Sequence, residues 1–299
     1  MFQIFTGLAT LLGKDREYLG LLDTCLRAAD TEYEREFFLT EKITFLRHGG
    51  KTEAAEQLIA ENLDIPELRL VQVDAAIEGG QYTLAKKLIA EGKKHHGTVR
   101  DWREKLLDIA YREKDKLTTR ALTYDFAFAA GCFDEKYYRK WKATFSATEW
   151  PDELSTLIAA RRAEAKAETS SMAKGWYYGL RESPSLRLLG PLYVEEKMWN
   201  ELMALIQSGS SLRALLEYHG YLAPRFPDKM IDLYFPVFLD AGDKADKRGA
   251  YADLSKKMCH VITSIPQGKE RIQQAAGQLI AKYPRRPAMI EELGKVLKM

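Results

Sequence analysis

Cysteine is scarce in this sequence, and the three copies, Cys25, Cys132 and Cys259, stand far apart with no CxxC or CxC pair. That spacing argues against a disulfide framework and against a cysteine-based zinc site. Reduced, mostly buried thiols are expected, as in a cytoplasmic protein. An excess of one charge is also missing: the net charge is +2, without the basic surplus of a dedicated nucleic-acid binder, although a local patch stays open. The apolar opening from Met1 to Leu12 is too short to span a bilayer. It lacks the basic start and small-residue cleavage site of a signal peptide. Phe5, Leu8, Leu11 and Leu12 follow helical spacing instead, so the segment reads as one face of a helix. GxxxxGK[ST], HExxH, GxSxG and GxGxxG are all absent. Without them there is no phosphate cradle, helix-borne zinc hydrolase site, nucleophile elbow or dinucleotide turn to argue from. No enzyme, metal or cofactor is expected, and only catalytic groups converging from distant positions would make one.

Alternation of period two is nearly absent as well, whereas apolar residues recur at three and four, as in Met230, Leu233, Tyr234, Val237 and Phe238. Pro236 sits inside that run and predicts a kink or a helix end nearby. Turns are marked by Gly49-Gly50, Gly79-Gly80, Pro151, Pro184, Gly209, Pro224 with Pro227, Gly242, Pro266 and Pro284 with Pro287. The pieces between them have ordinary helix length. Hydrophobic residues make up 46% and charged residues 29%, enough for a real core and too apolar for wholesale disorder.

The two Gly-Gly pairs head matching segments. Residues 43–61 and 73–91 share seven of nineteen identities, including Ala55 with Ala85 and Leu58-Ile59-Ala60-Glu61 with Leu88-Ile89-Ala90-Glu91. A period of thirty residues suits a helix–turn–helix repeat. Glycine supplies the positive backbone angle between two helices. Alanine is small where the two helices would cross, and a leucine there should overpack by about 1–3 kcal/mol. A weaker third copy starts near Trp102, with Lys114-Asp115-Lys116 as its turn and Ala121 in the place of Ala55. Tyr193 to Ile206 and Asp228 to Ile262 read as further helix pairs. Residues 161–174 are rich in alanine and charge. They read as a solvated helix followed by a loop, or as a hinge. A soft boundary there separates repeats over 1–160 from repeats over 175–299.

The Gly turn, the small alanine and Pro66 after the second helix resemble the tetratricopeptide pattern, although no tryptophan and leucine-glycine pair opens the units. A second resemblance covers most of residues 30–297. Glu149-Trp150-Pro151, Tyr221-Leu222-Ala223-Pro224-Arg225-Phe226-Pro227 leading into Leu233-Tyr234, and Tyr283-Pro284-Arg285-Arg286-Pro287-Ala288 before an acidic last helix resemble the helical region C-terminal to the zinc finger in bacterial SWIM-family proteins. The family's CxC…CxH zinc motif is absent, so neither zinc nor the finger's nucleic-acid role carries over. The resemblance implies a helical-repeat region of the kind that belongs to a longer protein.

Several local clusters admit a chemical and a structural interpretation. Glu91 and His95 share a helix face and His96 adjoins them, but Gly92 and Gly97 flank the histidines and Lys93 and Lys94 repel a cation, so a solvated loop is expected. Cys259-His260 suggests a nucleophile and its base, yet adjacent helical residues point apart, leaving a buried thiol beside a surface histidine. Ser208-Gly209-Ser210-Ser211 offers amides to an anion, or a serine N-cap. Trp176-Tyr177-Tyr178 would anchor a partner or fill a helix contact. Lys282, Arg285 and Arg286 around Tyr283 would meet phosphates, or form a turn whose potential Glu291 and Glu292 soften.

The fold expected is all-α, an irregular right-handed α-solenoid of antiparallel, tetratricopeptide-like helix pairs. The function expected is a non-enzymatic scaffold for a protein or peptide partner, with no membrane association. Its groove face would carry Thr44, Arg47, His48, Asp74 and Glu78, with Glu113 and Lys114 from the weak copy, a mixed set suited to an extended peptide. The alternative is an accessory nucleic-acid-associated protein using Arg285, Arg286, Lys282 and the Lys93-Lys94 loop.

Overall fold

Helix starts are written in side chains that replace missing backbone partners. Thr31 accepts from the Glu34 amide while Glu34 reaches back to the Thr31 amide, a reciprocal cap. Asp134, Ser183 and Ser211 cap in the same sense. Pro66, Pro184, Pro227 and Pro287 each open a helix, where the absent N–H has no bond to lose. The computed structural model describes residues 12–93, 99–172, 183–209 and 211–299, and among them every regular element is helical. In chain order these are α1 (Asp15–Ala28), α2 (Glu32–His48), α3 (Thr52–Glu61), α4 (Pro66–Glu78), α5 (Tyr82–Gly92), α6 (Val99–Glu113), α7 (Lys116–Ala127), α8 (Glu135–Lys142), α9 (Trp150–Met172), α10 (Pro184–Glu195), α11 (Trp199–Gln207), α12 (Leu212–Glu217), α13 (His219–Leu222), α14 (Pro227–Lys244), α15 (Arg248–Ser264), α16 (Lys269–Lys282) and α17 (Pro287–Leu297), with 3-10 turns at Ala129–Gly131 and Pro266–Gly268. The chain forms two compact units that divide between Asp125 and Phe126.

In the first unit α2 packs on α3, α4 on α5, α3 on α4, α5 on α6, and α4 also on α6. The turns share one geometry. Gly50, Gly80 and Lys114 lie at φ 72°, 69° and 57°, and Lys197 of the second unit lies at 55°. At each, the turn N–H donates to the carbonyl three residues back, over 3.1–3.2 Å, and the next N–H to the carbonyl five residues back of it, over 2.8–2.9 Å. This is the Schellman arrangement, which satisfies the last carbonyls of a helix.

Counting from that left-handed residue, the positions seven and four before it and five and nine after it are buried in all four hairpins. They are Ile43, Leu46, Ala55 and Ile59; Val73, Ala76, Ala85 and Ile89; Leu107, Ala110, Thr119 and Thr123; and Gly190, Tyr193, Leu202 and Ile206. The third copy therefore places Thr119, not Ala121, where Ala55 and Ala85 stand, and Ala121 is exposed. The turn sets the register, and the nearest alanine misleads by two residues. Thr119 is tolerated there because its hydroxyl donates to the Asp115 carbonyl at 2.7 Å, as a buried hydroxyl must. Leu202 takes the same position in the fourth hairpin without exposure, so the crossing is not closed to leucine in every pair.

Buried Arg69 knits α4 to α5. Its guanidinium donates to the carbonyl of Leu63 at 2.7 Å and pairs with Glu91 at 3.1 Å. Trp102 of α6 lies over Gly92, where an added Cβ would stand 2.8 Å from the indole and 2.9 Å from the Arg69 chain.

The second unit is held by a carboxylate. The Glu196 side chain, 7% exposed, accepts from the Tyr138 hydroxyl at 2.8 Å, from Lys142 at 2.8 and 2.9 Å, and from the Trp150 indole at 3.2 Å. Burial, and then the charge of Glu196, push the Tyr138 phenol far above its ordinary range. Phe128, Phe133, Trp141 and Phe145 pack edge-on or tilted around these rings. Toward the C-terminus α14, α15, α16 and α17 pack together, with Gly242 under Leu279 and Gly268 under Ile231 at distances that leave no room for a Cβ.

Three expectations gain detail. Residues 161–172 continue α9, largely exposed over 161–170 as a solvated helix should be, but Arg161 is buried over Phe128, its guanidinium carbon 4.2 Å from the ring centroid, and Ala165 is buried as well. α14 does not end near Pro236 but runs on to Lys244. The proline is exposed while Tyr234 and Phe238 are fully buried, so water can serve the carbonyl it frees and packing holds the helix. The thiols are not mostly buried: Cys132 is exposed, and Cys25 and Cys259 are half-buried.

The turn geometry makes a direct prediction. A Cβ on Gly50 or Gly80 meets nothing within 4 Å, so alanine there should lose only the left-handed backbone term, about 1–2 kcal/mol. Lys114→Gly and Lys197→Gly should gain about 0.5–1 kcal/mol, since glycine returns part of that term as chain entropy. Urea midpoints of the four variants provide the check.

Candidate functional site

The residues expected on a partner face fall on one turn each of α2 and α4, and at the end of α6. Thr44 and His48 are exposed on α2, Glu78 is exposed on α4, and Asp74 is half-exposed one turn before it. Several already have partners: Arg47 meets Glu56 at 2.8 Å, Asp74 meets Lys105 at 2.6 Å and Glu113 meets Lys86 at 2.6 Å. Lys114 is exposed in its left-handed turn. In the register of the turns, Glu113 and Lys114 match Gly49 and Gly50. The third-unit equivalents of Thr44 and His48 are Asp108 and Arg112, which bond to each other at 3.2 Å. The α2–α4–α6 flank is thus polar and of mixed sign, with its charges linked between neighbouring helices.

The other clusters resolve into structure where they fall among the described residues. Glu91 is the partner of Arg69; His95 and His96 lie outside the described residues, as do Lys94, Gly97, Trp176, Tyr177, Tyr178 and Met1 to Leu11. Ser211 caps α12 through the Ala214 amide at 3.2 Å. Lys282 and the Tyr283 hydroxyl both hold Asp243, at 2.7 and 2.9 Å, and the Lys282 and Tyr283 hydrogen bonds keep that carboxyl below its usual range. Arg286 donates to the Ala245 carbonyl at 3.0 Å and stacks on Tyr283. Arg285 is exposed. Among the described residues no group of three His, Cys, Asp or Glu could hold a metal ion, and no helix is long and apolar enough to cross a membrane.

Two features escaped the sequence. The first is a groove of about 420 Å³ in the second unit, lined by Pro151, Leu154, Ser155, Ile158, Ala159 and Arg162 of α9, with Met198 and Glu201 at the start of α11. The α9 residues recur at three and four, one outward stripe of the helix. Arg162 donates to the Tyr193 hydroxyl at 3.0 Å, which fixes its guanidinium at the rim.

The second is a buried relay. His219, 4% exposed, places Nδ1 3.0 Å from the Tyr234 hydroxyl and Nε2 2.6 Å from Ser264 Oγ. Tyr234 donates to the Leu215 carbonyl at 3.0 Å, and Ser264 lies 2.8 Å from the His260 carbonyl. With the proton on Nδ1, the serine turns to Nε2 and the His260 carbonyl loses its donor. With the proton on Nε2, the tyrosine turns to Nδ1 and the Leu215 carbonyl loses its donor. Either tautomer leaves one end open. The spacing is that of a nucleophile and a base. However, Ser264 closes α15 at its C-terminal, partially negative end, which opposes a developing oxyanion. The trio therefore reads as a structural link between α13, α14 and α15. Cys259 and His260 precede it on α15, with the His260 ring 5.2 Å from that of His219.

Burial first, and then His260, hold the His219 pKa below its ordinary value. A histidine depressed in this way takes up a proton on unfolding. Its contribution to stability is complete above about pH 6.5 and drains as the pH falls toward the folded value. Chemical unfolding between pH 7.5 and 5.5 should show wild type losing stability with a slope of up to about 1.4 kcal/mol per pH unit from this one proton. His219→Gln should show a flatter slope. No family model, curated protein or solved structure matches this chain.

Proposed function

We propose that the chain is a non-enzymatic helical-repeat scaffold that binds a protein or peptide partner, with α2 to α7 as a tetratricopeptide-like solenoid. The observation that carries this is the recurrence of one hairpin register: the same four positions are buried in each pair, while the first helices keep an outward flank of Thr44, His48, Asp74, Glu78, Asp108 and Arg112. Repeats of this kind bury only their mutual faces and offer the rest as a recognition surface. Mixed charge on rigid helices suits an extended peptide of complementary pattern. Free thiols fit a reducing, cytoplasmic setting. The basic turn gives less support to nucleic-acid association, because Lys282 and Arg286 are engaged by Asp243 and Ala245.

The test is affinity capture from lysate of the source organism with wild type and Asp74→Lys/Glu78→Lys, with and without nuclease. The exposed Asp74–Lys105 pair contributes at most about 1 kcal/mol, so helix content should survive. A partner retained through nuclease and lost with the double variant is the expected result. Equal recovery by both proteins would remove this flank from the argument, and recovery lost to nuclease and steeply to salt would move the reading to phosphate contacts.

A further inference from the structure

Building on the scaffold reading, we propose that the α9–α11 groove is a second docking site, and that its occupant is an amphipathic helical segment of about three turns carrying one acidic and one basic side chain beside its apolar stripe. The stripe from Pro151 to Arg162 spans about 16 Å along α9 at the helical rise, the length of three turns. Leu154, Ile158, Ala159 and Met198 make the lining mostly apolar, and the groove has the volume of sites that accept one or two large side chains. Met198 adds an adaptable surface.

Charge decides between occupants. Arg162 on one wall and Glu201 on the other are the groove's ionic groups, and neither has an ion-pair partner among the described residues. Several neighbouring charges do: Arg161 with Glu164, Glu168 with Arg187, Arg139 with Glu195 and Lys142 with Glu196. A wholly apolar partner would cover both charges unpaired, and a partner of one sign would oppose one of them. A segment with one charge of each sign meets both. Tyr193 holds one nitrogen of Arg162, leaving the rest of the fork for a carboxylate. Glu201 stands in the first turn of α11, where its carboxylate can meet an ammonium or guanidinium.

The experiment is fluorescence anisotropy of the full chain with labelled fourteen-residue leucine-faced helices in four versions: glutamate then lysine, lysine then glutamate, two glutamates, and two lysines. The expected result is that one mixed-charge order binds about tenfold tighter than the rest, a difference of one well-formed charge pair. Arg162→Glu/Glu201→Arg should invert the preferred order. Ala159→Trp, which fills the groove from an exposed position, should abolish binding of all four, with circular dichroism confirming that each variant is folded. Equal affinities, an unchanged order in the swapped protein, or full binding by Ala159→Trp would overturn the proposal. So would concentration-dependent self-association that Ala159→Trp removes, since a second copy would then fill the groove. None of these outcomes touches the α2–α4 flank, so the groove can fail while the scaffold stands, and the reverse holds for the capture experiment.

Discussion

One backbone angle governs the helix pairs. A residue held at positive φ turns the chain back and closes two hydrogen bonds onto the preceding helix. The side chains at fixed distances on either side then face each other. Everything else in a hairpin follows from that register: which residues are buried, which flank is left polar, and where a small residue is wanted. Glycine supplies the angle at Gly50 and Gly80, while lysine bears it at Lys114 and Lys197. The packing is strong enough to hold an L-residue in a conformation it rarely adopts.

That substitution explains what could be read in advance. The all-helical character and the first two hairpins were legible because Gly-Gly and the Leu-Ile-Ala-Glu run recur on a constant period. The third pair was legible as a pair but not in register. Lys114 carries no compositional mark of a left-handed residue, and Thr119 and Thr123 carry none of a core position, although both are buried. The fourth pair was read over Tyr193 to Ile206, whereas its first helix already starts at Pro184, and Lys197 concealed its turn in the same way. Residues 161–174 read as a solvated helix because alanine and charge dominate the letters, and most of residues 161–170 are exposed. Burial of Arg161 against Phe128 and the Glu168–Arg187 pair depend on partners far away in sequence.

The second unit was less legible because its fasteners are long-range. His219 meets groups fifteen and forty-five residues away, and no local pattern joins them. The groove likewise needs α9 and α11 side by side. Two short motifs behind the family resemblance prove to contain fasteners: Trp150 donates to Glu196, and Tyr283 donates to Asp243. Aromatic residues with a polar tip serve such places well, since one side chain fills volume and also satisfies a carboxylate. On α2 and α4 the glycine pairs set the count for Thr44, His48, Asp74 and Glu78, whereas Glu113 and Lys114 stand at the register positions of Gly49 and Gly50.

The Glu196 carboxylate also divides the chain in time. The first unit's hairpins close over short stretches of chain, each with its own turn bonds, so they can form one after another, in any order, with little loop entropy to overcome. The second unit has one such hairpin, at Lys197, but its aromatic cluster lacks that freedom. Tyr138 must wait for a carboxylate fifty-eight residues downstream, and until then the aromatic cluster has the cations Lys142 and Arg161 against its rings but not this carboxylate. On a ribosome the early hairpins would be complete while that cluster was still exposed. The N-terminal unit would then be assembled from local turns, and the C-terminal one would lock late, around a single side chain.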